Sequence, residues 1–237
     1  MISDFFLCHT ADYNLQLTGQ QQTQFSMYLA LLLEWNGRMN LTAVRKPEAI
    51  EQRHFLDALS CMTVMGDLNG RALIDVGTGA GFPGLPLKVA FPESKMTLVE
   101  SVAKKCRFLE AVVSELGLSD VQVITERVEL IGQQAAHRAR YDWAVARGLA
   151  EMRVLAEYLL PLCRVGGTVL AQKGESAAGE TVAAANAIHL LGGGKPTLYP
   201  VQIPGTTQTH HLVTVPKIAN TPDKYPRRVG LPTKRPL

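Results

Sequence analysis

The sequence predicts an α/β protein: a doubly wound, mostly parallel seven-stranded sheet with a small helical N-terminal extension. Three observations lead there. From Arg71 onward, short apolar runs rich in β-branched residues alternate with longer segments of helical periodicity. Leu73 to Gly84 reads LIDVGTGAGFPG, an apolar run entering an acidic residue and then a glycine-rich turn. A strand, a glycine-rich turn and a helix are how an open α/β sheet builds a nucleotide-shaped cleft. The last two predicted strands have no long helix between them, which makes them an antiparallel hairpin at the end of the sheet.

In chain order, residues 1–70 form the helical extension. Thr18 and Gln21 make a capping box before an apolar stripe at Phe25, Tyr28, Leu29, Leu32 and Leu33, and this helix should stop near Asn36-Gly37. A polar loop, Arg38 to Lys46, leads to a second helix that begins at Pro47 and turns Ile50, Phe55, Leu59 and Met62 inward. Residues 71–216 form the α/β domain. Its predicted strands are Leu73–Val76, Met96–Glu100, Val121–Thr125, Trp143–Ala146, Thr168–Gln172, Thr197–Ile203 and His211–Val215. Helices centre on Leu85–Ala90, Lys104–Leu116, Leu149–Leu162 and Glu180–Leu191. Residues 217–237 form a basic, proline-rich tail carrying six cations against Asp223 alone, which gives it +5 and leaves −2 on the rest of the chain. Pro222, Pro226, Pro232 and Pro236 argue against regular structure, so a mobile arm is expected. Such an arm either touches phosphates without reading bases or serves only solubility.

At 237 residues the chain can bury one good core and a small appended element. The longest apolar run, Leu29 to Leu33, is far too short to span a bilayer, and the N-terminus lacks a basic-then-apolar secretory pattern. Cys8, Cys61, Cys106 and Cys163 lie more than forty residues apart with no CxxC, which argues against a metal centre or disulfide framework. Buried thiols in a reducing cytoplasm are expected, with a monomer as the default state.

The glycines carry the chemistry. Gly77, Gly79 and Gly81 let the backbone turn sharply and approach a ligand with no Cβ in the way, and Pro83 suits the first turn of the next helix. Gly79, Gly81 and Gly84 also satisfy GxGxxG, a weak pointer to a dinucleotide. The second strand ends in Glu100, about twenty residues further on, where a carboxylate accepts hydrogen bonds from ribose hydroxyls. NAD and S-adenosylmethionine both carry that ribose, so Glu100 does not separate them. The stretch Asp75-Val-Gly77-Thr-Gly79-Ala-Gly81 resembles the (D/E)xGxGxG pattern of class I S-adenosylmethionine-dependent methyltransferases, whose fold is Rossmann-like. S-adenosyl-L-methionine is therefore the expected cofactor.

A more specific resemblance spans roughly residues 25 to 216. It rests on WNGRMNLTAVR (Trp35–Arg45), RHFLDALS (Arg53–Ser60), DVGTGAGFPGLPL (Asp75–Leu87), LVESVAKKCRFL (Leu98–Leu109), RVE (Arg127–Glu129), ARG (Ala146–Gly148) and QKG (Gln172–Gly174). Taken together, these segments resemble the bacterial GidB/RsmG family of 16S ribosomal RNA guanine-N7 methyltransferases. Phe82 stands where other apolar residues occur, and Glu100 where Asp is also common; both keep the required chemistry. The resemblance implies that Gly77 and Phe82 line the cofactor pocket, that Val128 and Glu129 flank the adenine, and that Arg147 sits near the methionine end. It also implies a guanine in the decoding-region loop of 16S rRNA as target, presented by the RNA or by the small ribosomal subunit.

Guanine N7 bears an exposed lone pair and needs no general base before it attacks a sulfonium methyl group. Positioning is the main catalytic contribution expected. The sequence accordingly offers no obligatory cysteine, and its fourth strand ends in ARG, not the N/D-P-P-Y of enzymes that methylate exocyclic amines. Cys163 reads as a core thiol. Candidates for holding the RNA or the target base are His54, Asp57, Arg147 and Lys173, with Asn40, Arg45, Arg53, Lys104, Lys105 and Arg107 around them. His54 and Asp57, three apart, share a helix face and either hold a base or brace the extension against the sheet, with Asp57 fixing His54. Other readings of the same loop are a small-molecule or protein methyltransferase, an NAD-linked oxidoreductase, and a catalytically silent RNA-binding protein.

Overall fold

The computed structural model describes residues 1–207 and 209–237. Its seven strands are β1 (Ala72–Val76), β2 (Lys95–Glu100), β3 (Val121–Thr125), β4 (Tyr141–Arg147), β5 (Cys163–Lys173), β6 (Thr197–Gln202) and β7 (Thr209–Pro216). They form one sheet in the order β3-β2-β1-β4-β5-β7-β6. Strands β1 to β5 are parallel and β7 runs antiparallel to both β5 and β6, so the expected reversed hairpin is present. Strand order reverses between β1 and β4, which opens a crevice at their C-terminal ends.

Alternation along the strands divides the core in two. Leu73, Leu98, Val145 and Leu170 face one apolar cluster, while Ile74, Val99, Ala144, Ala146 and Val169 face the other. The helices Gly84–Ala90 and Ala103–Glu115 cover the first face, and the N-terminal extension packs over them. Met152–Leu159, Ala177–Ala183 and Ala185–Leu190 cover the second.

Most departures from expectation are local. The capping box at Thr18 forms as predicted, but its helix runs Gly19–Met39, through Gly37. It continues because Asn40 takes the left-handed cap at φ 50°. The Asn36 side chain, meanwhile, turns to bond both Thr42 N–H and Thr42 C=O at 2.9 Å. The helix from Pro47 passes through a π-helical turn, Glu51–Leu56, which bears Arg53 and His54. The fourth predicted helix splits at Ala184, and the third starts only at Met152, freeing Gly148 to Ala150 for the crevice. Cys61, Cys106 and Cys163 are buried as expected, whereas Cys8 is exposed. Cys163 opens β5, and burial pushes its thiol up to about 12.

The C-terminal tail is the larger correction. It is not a free arm: Tyr225 is buried, Lys217 is 3% exposed, and Leu231–Lys234 forms a short helix. Pro232 lies in that helix's first turn, where proline is tolerated. Four backbone carbonyls, those of Gly132, Thr221, Pro222 and Tyr225, accept hydrogen bonds from the Arg138 guanidinium. Arg227 forks onto the carboxylate of the fully buried Glu157, with Nη2 to Oε2 at 2.6 Å. Counting cations and prolines missed this because the anchoring acid lies 70 positions away. No helix among the described residues is long and apolar enough to cross a membrane.

Candidate active site

The glycine loop joins β1 to the helix Gly84–Ala90, and Asp75 staples its two ends. Asp75 Oδ2 accepts from Thr78 Oγ1 at 2.6 Å and from Gly84 N–H at 2.8 Å. Complete burial pushes the Asp75 carboxyl up to about 6, against these two hydrogen bonds. Its other oxygen, Oδ1, is buried with no partner among the described residues. Asp75 therefore shapes the loop from beneath. The loop faces a cleft of about 430 Å³ at the C-terminal ends of the strands.

Every cofactor residue expected from the sequence except Gly79 and Phe82 is at or beside that cleft. Gly77, Glu100, Val128 and Glu129 line it, and Arg147 ends β4 immediately before the lining residues Gly148 to Ala150. Glu100 is 6% exposed; its Oε2 accepts the Gly79 N–H at 3.2 Å and its Oε1 the Val102 N–H at 2.9 Å. Each oxygen keeps lone-pair capacity for ribose hydroxyls. Gly79 and Phe82 instead line a smaller hollow of about 140 Å³, shared with Gly77, Thr42, His54 and Arg147. Gly77 has φ +67°, and a side chain there would run into Leu149 across the cleft. The glycine cradle, the two carboxylates and the apolar Val76, Val99 and Val128 suit an adenosine-bearing ligand. No group of His, Cys, Asp and Glu able to hold a metal occurs among the described residues.

The hollow joins the N-terminal extension to the sheet. Arg147 Nη1 donates to Asp57 Oδ2 at 2.8 Å and to Arg53 C=O at 3.1 Å, while Nη2 lies 3.2 Å from His54 Nδ1. Its guanidinium carbon also sits 4.9 Å from the centre of the Phe82 ring, on which His54 stacks at 4.8 Å. His54 is pushed down to about 4, chiefly by burial and then by the neighbouring Arg147 charge. Around the neutral ring, Nδ1 lies 3.0 Å from Arg53 C=O and 3.2 Å from Arg147 Nη2, and Nε2 lies 2.7 Å from Thr42 Oγ1. NMR titration of His54 is expected to show a neutral imidazole at pH 6, with its midpoint near 4. A midpoint in the ordinary imidazole range would contradict this environment.

His54 and Asp57 do meet at one place, but not through each other. Asp57 is 3% exposed and takes its bonds from Arg147 and from His210 Nδ1, 2.9 Å from Oδ1. Burial opposes the Asp57 charge, yet the bonds from His210 and Arg147 outweigh it and lower the carboxyl. Asp57 raises His210 in return. Sequence reasoning missed His210 because the contact spans 153 positions and the residue lies at the start of β7, without a motif. Lys173 also departs from expectation as an open RNA-facing cation. Its Nζ lies 2.6 Å from Glu180 Oε2 and donates to Ala150 C=O at 2.9 Å, so it ties β5 to the cleft-lining loop. Of the surrounding cations, Arg45, Arg53, Lys104 and Arg107 are exposed, while Lys105 leans toward Glu100 at 3.8 Å.

Comparison with known proteins adds to this geometry. The family described as rRNA small subunit methyltransferase G matches residues 21–209. A protein of that name from Roseiflexus castenholzii is 48% identical over 234 residues, covering 99% of each chain. One from Leuconostoc citreum is 41% identical over 239 residues, covering all of both. Among solved structures, a SAM-dependent O-methyltransferase from Thermotoga maritima superposes with a TM-score of 0.54 at 13% identity, over 81% of this chain and 72% of its own. A 16S rRNA adenine-N1-methyltransferase from Catenulisporales acidiphilia gives 0.53 at 15% identity, over 65% and 88%. These likenesses establish the class I methyltransferase fold. With its glycine cradle, its Arg147-centred hollow and near-complete alignment to these relatives, the chain belongs to the rRNA small subunit methyltransferase G (GidB) family.

Proposed function

We propose that the protein transfers a methyl group from S-adenosyl-L-methionine to N7 of one guanine in the decoding-region loop of 16S rRNA. The observation that carries this reading is the Arg147 junction. It ties His54 and Asp57 of the N-terminal extension to the end of β4, with His54 and the Arg147 guanidinium against Phe82 of the glycine loop, beside the cleft. In this reading Glu100 holds the ribose, Val128 and Glu129 flank the adenine, and Gly77 and Gly79 give the methionine end its room. When bound, the cofactor supplies an electrophilic methyl group. The chain's own part is to bind, orient and exclude water.

Its side chains suit that part. Guanine N7 has no proton to lose, so no residue needs to act as a base. His54 is held neutral and Asp57 is engaged on both oxygens, so neither is poised for proton transfer. The stacked His54 and Phe82 rings with the Arg147 plane form a rigid apolar and cationic wall, suited to fixing a flat base in line. Lys173 serves as a positioning residue for the Gly148–Ala150 loop. The exposed Arg45, Arg53, Lys104 and Arg107 supply sequence-independent contacts to phosphates. The protein is read as acting as a cytoplasmic monomer.

Labelled methyl transfer to 16S RNA or to small subunits lacking the modification, mapped by cleavage at N7-methylguanine, tests this directly. A single labelled guanine in the decoding region is expected. Saturable cofactor binding with no incorporation into either form would turn the reading to a small-molecule or protein substrate. Glu100→Ala is expected to abolish cofactor binding by removing the ribose acceptor and the Gly79 anchor together. Normal affinity in calorimetry would sink the ribose assignment.

A further inference from the structure

The C-terminal segment lies outside the range matched by the family, yet it reaches the cleft. Thr233, exposed at the rim, is among the lining residues. Three residues before it, the Gly230 N–H donates to Glu129 Oε1 at 2.9 Å. Tyr158 OH donates to the same oxygen at 3.2 Å, and no group among the described residues donates to Oε2. Glu129 is only 4% exposed, so the segment and Tyr158 together fix which of its oxygens remains for a ligand.

The segment is built to stay there. Glu157 has no exposed surface and receives four hydrogen bonds from Arg227, through N–H, Nε twice and Nη2, between 2.6 and 3.1 Å. Arg227 Nη2 also donates to Arg235 C=O at 2.8 Å, which closes the segment on itself around the short helix. Gly132, in the turn after Val128 and Glu129, has no room for a Cβ because Pro226 lies 2.7 Å from where it would be. The anchor, the Glu129 contact and the rim residue thus lie within seven consecutive positions, 227–233.

We infer that Arg227, Gly230 and Thr233 build a wall of the cofactor site. Arg227 anchors the segment on Glu157, Gly230 orients Glu129, and Thr233 closes the adenosine side of the cleft. This rests on the reading of the cleft as the S-adenosylmethionine site. It gives the basic tail a cofactor-binding role in place of an RNA-binding or solubilising one.

Calorimetric titration of S-adenosylhomocysteine into the full-length protein tests it with three variants, beside Glu100→Ala as reference. Thr233→Trp, which fills the rim, is expected to raise Kd at least about tenfold with an unchanged melting temperature. Arg227→Ala, which releases the anchor, is expected to raise Kd about tenfold and to lower the melting temperature. Arg228→Ala, an exposed cation on the same segment, is expected to bind as the unaltered protein does. Normal affinity in Thr233→Trp and in folded Arg227→Ala, with binding lost in Glu100→Ala, would overturn the inference alone. Normal affinity in Glu100→Ala as well would overturn the reading of the cleft. Should Arg227→Ala not fold, Thr233→Trp decides. Equal weakening in Arg228→Ala would also overturn the inference, since a general charge effect would then suffice.

Discussion

Asp57→Ala is expected to destabilise the fold by about 3 kcal/mol, because it leaves the Arg147 guanidinium without its carboxylate in a mostly desolvated junction. The side chain is nearly fully buried and joins three parts of the chain: the π-helical turn, β4 and β7. Methyl transfer should fall by at least about a hundredfold even where the variant folds, since a shift of about 1 Å in Arg147 misplaces the wall of the hollow. Urea unfolding and single-turnover transfer measure the two effects separately. Full activity in a folded Asp57→Ala would remove this junction from the mechanism.

The same network has a pH signature. The Asp57 carboxyl is lowered, so its contribution is complete above the ordinary carboxylate range and is lost as pH falls through the folded value. His210 is raised, so its contribution is complete below the ordinary imidazole value and is lost as pH rises through the folded one. Their pairing therefore stabilises most between about pH 4 and 6.5. The stability lost in His210→Ala should be greatest in that window and shrink on either side. A loss independent of pH would mean that His210 acts only through packing.

Gly81→Ala should cost about 3 kcal/mol and weaken cofactor binding together, because the position is closed on two counts. Its φ of +98° is a backbone conformation that an L side chain rarely adopts. The added Cβ would also lie 2.6 Å from Tyr28 OH and 2.4 Å from Leu85 Cδ1. Tyr28 has little freedom to retreat, being fully buried and hydrogen-bonded to Ala80 C=O. Repacking here would have to move the glycine loop itself. Thermal melting and S-adenosylhomocysteine titration of one preparation check both effects, and unchanged values would show that the loop is more plastic than its contacts imply.

The amino-acid sequence by itself determined the parts whose causes are local. Alternating apolar periods set the five parallel strands and their helices, the capping box set the start of the long N-terminal helix, and the glycine loop set the cofactor crevice. Val128, Glu129 and Glu100 were legible because each follows or ends a strand at the open edge of the sheet. Tertiary structure alone decided what is assembled from distant positions. His210 joins Asp57 from the far end of the chain, Arg147 bridges His54 and Asp57 where helix spacing implied direct contact, and Glu180 takes up Lys173. The basic tail shows the reason most plainly. Charge and proline content describe a segment's own preferences, and those of residues 217–237 favour an extended, solvated chain. Contacts with distant positions reverse that preference. Buried Glu157, 70 positions away, takes the Arg227 fork, Arg138 holds the carbonyls of Thr221, Pro222 and Tyr225, and Tyr225 is buried. Together they offset the entropy of ordering the tail.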